Sequence, residues 1–176
     1  MAKRSPYLVK RPTKPLNDEH LIRAVLETMW QSVEIHGDYD DLRAGLILAT
    51  PGQVAVFAVR WCDHEVCNGG FHQLFYNSTG ILFPEAVQGL QQIGATDYAS
   101  FFSQAASLLP SADVPRDRDE RIRLLERVPY ELWKKQIKPV EDAYYALRRT
   151  GTTVERHAAR YVEEHSEDFF DVEVLN

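Results

Sequence analysis

The chain has 176 residues, of which 44% are hydrophobic and 19 are aromatic, with 26 acids against 20 bases for a net charge of −6. That size and apolar content describe one folded domain and exclude disorder throughout. The absence of any run of 18 apolar residues argues against a membrane span, and two cysteines are too few for a disulfide scaffold, which points to a reducing, cytoplasmic setting.

Residues 1–16 show no periodicity and contain Pro6, Pro12 and Pro15, with Lys3, Arg4, Lys10, Arg11 and Lys14 as their charges. They read as a flexible basic arm, and no apolar run follows them that would make a secretory signal. Asn17 or Asp18 can cap a helix starting near Glu19, whose stripe is Leu21, Ile22, Val25, Leu26, Met29 and Trp30. The stretch GDYDDLRAGLILAT is ambiguous between a short helix from Asp40 and a turn leading into a buried run. Thr50-Pro51 is a strong helix start, and Gln53 completes a capping box. Residues 54–67 are apolar on several sides, which marks a central helix stopped by Gly69 and Gly70. FHQLFYN follows and is closed by the turn Asn77-Ser78-Thr79-Gly80.

In the second half, Pro84 opens a helix over 84–93, and Thr96 or Asp97 caps one over 97–109. Residues 110–115 are a linker, and the charged run 116–121 leads into a helix through Ile122, Leu124, Leu125 and Val128. Pro129 starts a long segment that Pro139 would kink or split. Thr152 or Thr153 caps a last helix. The prediction is an all-α fold of about seven helices: the arm at 1–16, a helical domain at 17–170 and an acidic end at 171–176. No strand alternation, phosphate loop or repeat period competes with it.

The stretch CDHEVCNGGFHQ, residues 62–73, offers ligands and nucleophiles at first sight. Cys62 and Cys67 stand five positions apart, which on a helix points them roughly 140° apart, so they do not share a metal easily. There is no CxxC or HExxH, and no metal or cofactor is expected. Asp63 and Glu65 flank the thiols and would raise their pKa, the wrong direction for a nucleophile. The structural reading fits better: glycines that can take positive φ, Asn68 capping one helix or the next, apolar mass at Phe71, and the Gln73 and Asn77 amides satisfying loop groups.

Residues 65–80, EVCNGGFHQLFYNSTG, resemble the signature of a bacterial helical domain family of unknown function that includes a DNA-mimic protein. Glu65, Asn68, Gly69, Gly70, Phe71, Gln73, Phe75, Tyr76, Asn77, Ser78 and Gly80 carry the resemblance, which extends over roughly 18–170. It implies an all-helical protein, with a homodimer as one expectation, and no established enzyme activity.

The leading functional expectation is therefore a non-enzymatic protein-interaction or regulatory module, DNA-mimic-like or immunity-like. Its partner would be a basic or DNA-binding protein, with no direct contact to nucleic acid or membrane. Candidate partner-binding acids are Asp38, Asp40 and Asp41, together with Glu163, Glu164, Glu167 and Asp168 in a C-terminal stretch that has no Lys or Arg after Arg160. The alternative is a hydrolase-type enzyme using Glu65, His64 or His72, and Asn68 in a cleft at the Asn-Gly-Gly-Phe corner.

Overall fold

Thr50 and Gln53 begin the helix on which the rest of the chain packs. The Thr50 hydroxyl accepts the Gln53 amide N–H at 3.1 Å, and the Gln53 side-chain oxygen accepts the Thr50 N–H at 3.0 Å. This capping box starts α3 (Pro51–Tyr76), whose Val56, Phe57, Ala58, Val59, Cys62, Val66, Leu74 and Phe75 are all buried. A helix apolar on most sides belongs at the centre of a bundle. The structure, a computed structural model, describes residues 5–171.

The other helices surround this one. α1 (Asp18–Ser32) is capped by Asn17, whose side chain accepts the His20 N–H at 2.9 Å. α2 (Tyr39–Leu46) settles the ambiguous stretch as a helix, because Asp38 and Asp41 form a capping box. A 3₁₀ turn (Ser78–Leu82) follows α3 and leads into α4 (Phe83–Gln92) and α5 (Thr96–Ala106). α6 (Arg118–Glu126), α7 (Tyr130–Arg149), α8 (Val154–Glu164) and a last 3₁₀ turn (Ser166–Asp168) complete the described residues. The count is eight α-helices, one more than expected, the addition being α2. α4 and α6 lie against α3, α1 pairs with α8, and α5 packs between α4 and α7.

Three local expectations change. α5 has Ala95 at its cap with no side-chain hydrogen bond, so neither Thr96 nor Asp97 caps it. α7 runs unbroken through Pro139, which is exposed there. The segment expected as a loose arm lies against the body from Ser5 onward. Tyr7 is buried with its hydroxyl on the Gly45 carbonyl at 3.2 Å, and Val9 forms an isolated parallel bridge with Phe170. Lys3, Arg4 and the acidic end beyond Asp171, with Glu173, lie outside the described residues.

One part of the core is an aromatic cluster. Phe71 meets Phe102 and Tyr144 edge-on at 5.2 and 5.9 Å, and Phe83 stacks on Phe102 at 5.7 Å. Such pairs each add about 0.5–1.5 kcal/mol beyond their buried area. Phe71 reaches this cluster because the chain bends immediately before it.

Candidate functional site

The bend is made by Gly69 and Gly70, which leave helical geometry inside α3. Gly70 has φ +72 and ψ −174, a region essentially reserved for glycine, whereas Gly69 has a negative φ of −155. Breaking the helix frees backbone groups that need partners. The Phe71 N–H donates to the Glu141 carboxylate of α7 at 3.0 Å. Asn68, expected as the cap, instead pairs with His64 at 3.2 Å on the exposed face. Burial raises the Glu141 pKa, against the pull of the Phe71 N–H.

Glu65 anchors the far side of the bend. Its carboxylate accepts from the Gln73 amide at 2.7 Å, the Asn77 amide at 3.0 Å and the Thr79 hydroxyl at 2.8 Å. All three donors are neutral side chains, and together they tie the two halves of α3 to the 3₁₀ turn. Beneath them lies Arg121, fully buried although it belongs to a charged run. Its guanidinium donates to the carbonyls of Phe75, Pro115, Arg116 and Asn77 at 3.1, 3.0, 2.6 and 2.8 Å. Burial lowers its pKa to about 10, so it stays charged at neutral pH. Gly80 completes the corner: a Cβ there would sit 2.5 Å from the Arg121 Nε and 2.7 Å from the Leu74 carbonyl oxygen.

A second polar cluster joins α3, α7 and α8. Asp63, 1% exposed, accepts from the Tyr144 hydroxyl and from Arg148 at 2.8 Å, and Arg148 also holds Glu155. Arg60 stands 3.8 Å from Asp63 and 3.4 Å from Glu155. Burial, and then the Glu155 carboxylate, push the Asp63 pKa up to about 6 against the attraction of Arg148. A buried charge network of this kind adds little net stability, but losing one member leaves the others uncompensated.

The groups of the enzyme alternative do not converge. Glu65 is taken up by Gln73, Asn77 and Thr79, while His64 faces outward toward Asn68. His72 stacks on Tyr76 with ring centroids 6.3 Å apart, and burial lowers its pKa. Cys62 is buried, and Cys67 lies 4.0 Å from the Asp63 carboxylate. Desolvation and then Asp63 raise the Cys67 pKa to about 11, which keeps the thiol protonated. Among the described residues no three His, Cys, Asp or Glu side chains form a group that could hold a metal ion.

A protein-family model described as DMP19-like protein matches residues 48–165. The chain belongs to the DMP19-like family. The match is narrower than the 18–170 expected from the sequence. It holds α3 to α8 and the whole glycine corner, and leaves α1, α2 and the N-terminal segment outside. No curated protein and no solved structure matches the chain.

In the DMP19-like region the Gln73 and Asn77 side chains are hydrogen-bonded to Glu65, and the candidate partner-binding acids lie away from this corner, Glu163 and Glu164 at the end of the matched residues and the others outside them. Asp38 and Asp41 cap α2, while Asp40 is exposed in its first turn. Glu163 pairs with Arg11, Glu164 lies 3.9 Å from Arg160, and Glu167 is exposed. Asp168 accepts the Gly52 N–H at 3.2 Å, so it belongs to the start of α3. Sequence reasoning missed Glu141, Arg121 and the Asp63–Arg148 pair. Only the unusual Arg121 position, four residues before Leu125 on the apolar stripe, hinted at burial.

Proposed function

We propose that the protein is a non-enzymatic regulatory module that binds a basic, nucleic-acid-binding protein through its acidic surface, in the manner of a DNA mimic. The observation that favours this reading over a hydrolase is that the Glu65 carboxylate is engaged by Gln73, Asn77 and Thr79 and does not meet His64 or His72. Membership of the DMP19-like family and the net charge of −6 support it. A negative field attracts a basic partner and repels DNA. Among the described residues no helix is long and apolar enough to cross a membrane.

The test is capture by the tagged full chain from lysate of its source cell, at low and high salt, with duplex DNA as competitor. A basic nucleic-acid-binding protein should be retained at low salt, since charge attraction fades as ions screen it, and DNA should displace it. Charge reversal at Glu163, Glu164 and Glu167 should slow association. Asp168 is left intact because it holds the Gly52 N–H in the first turn of α3. Tight, salt-sensitive binding of the chain itself to random DNA would overturn the proposal.

A further inference from the structure

We infer that the groove between the end of α3, α6 and the start of α7 is a docking site for an amphipathic peptide segment of a partner protein, one whose apolar anchor is flanked by carboxylates. The groove has a volume of about 270 Å³ and is walled by His72, Tyr76, Leu125, Val128, Tyr130 and Trp133. Its rim is apolar yet open to solvent: Tyr76 is 46% exposed and Tyr130 58%. Tyrosine and tryptophan beside arginine are the side chains that dominate binding energy at protein interfaces.

The rings are held in place before any partner arrives. His72 contacts Tyr130 edge-on at 5.6 Å and Trp133 at 6.0 Å, so the exposed tyrosine rests on the packed core. Preorganised aromatic surface loses little entropy on binding.

Charge selects the occupant. The Arg118 guanidinium lies 5.2 Å from the centre of the Tyr76 ring and is fixed there by its Nε, which donates to the Tyr76 carbonyl at 2.9 Å. The Lys134 ammonium lies 5.3 Å from the centre of the Tyr130 ring. Both exposed tyrosines therefore carry a cation on the ring. Arg121 is buried and Arg116 is paired with Glu85, so Arg118 and Lys134, the latter 3.5 Å from Glu131, are the cations positioned on these rings. A segment that buries an apolar side chain in the groove brings its neighbours up to Arg118 and Lys134, where Asp or Glu is favoured. Glu126 is the one acid among the groove's lining residues, and it opposes such a segment.

The experiment pans a random peptide-display library against the full chain and measures the selected peptides by fluorescence anisotropy. Enriched peptides should share apolar residues flanked by Asp or Glu. Lysine in place of those acids should weaken binding, and Tyr130→Ala should weaken it about tenfold or more with an unchanged melting curve. Glu126→Gln should tighten it. Failure to enrich any peptide, enrichment of basic or of proline-rich peptides without acids, or indifference to Tyr130→Ala would each overturn the inference. So would sedimentation showing a self-associated chain that Tyr130→Ala disperses, since the groove would then hold a second copy.

Discussion

Replacing Arg121 with alanine is expected to lower stability by roughly 2–6 kcal/mol, because two of its carbonyl acceptors left without a donor cost about 1–3 kcal/mol each. A domain of this size is held by only about 5–15 kcal/mol in total. The guanidinium joins the end of α3, the turn that follows it and the residues just before α6, and no water reaches it. Arg121→Lys should not rescue the loss, since an ammonium presents three donors from one point and cannot reach carbonyls on several sides of a planar fork. Urea denaturation measures this directly. A midpoint unchanged in Arg121→Ala would show that the carbonyls find other donors.

Gly70→Val is the second large effect. Its backbone conformation costs a non-glycine residue about 1–3 kcal/mol, most for a β-branched one. The new side chain would also run into the Glu141 carboxylate and take away the donor–acceptor pair at Phe71, about 1–3 kcal/mol more. Gly70→Ala would meet the same carboxylate with a single methyl group and should be the milder variant. Thermal melting followed by circular dichroism should show both variants lowered, valine further. Equal melting of valine variant and parent would mean that the chain does not bend sharply at Gly70.

The helices were readable because their ends are written in local chemistry. Asn17, Thr50 with Pro51 and Gln53, and Thr153 each cap the helix that the apolar spacing predicts. Gly70 likewise carries its positive φ within the motif that announced it. What could not be read depends on pairs far apart in the chain. Asp63 meets Tyr144 and Arg148 across 81 and 85 positions, and Phe71 meets Glu141 across 70. Arg121 sits in the run RDRDERIR, where a solvated charge is the ordinary expectation and only tertiary packing reverses it. The N-terminal segment failed as a loose arm for the same reason, since Tyr7 and Val9 are held by Gly45 and Phe169, residues no local pattern connects to them. The signature residues were legible as a group, but whether Glu65 faced a cleft or two amides and a hydroxyl was decided by the fold.

The most direct measurement on the corner is the chemical denaturation of Glu65→Gln. The exchange keeps the side chain's size and removes the charge that receives Gln73, Asn77 and Thr79. A carboxylate spent on architecture predicts a loss of about 1.5–3 kcal/mol, the range for hydrogen bonds to a charged group. Stability equal to that of the parent would contradict the structural role of Glu65, and with it the assignment of the family signature to the fold.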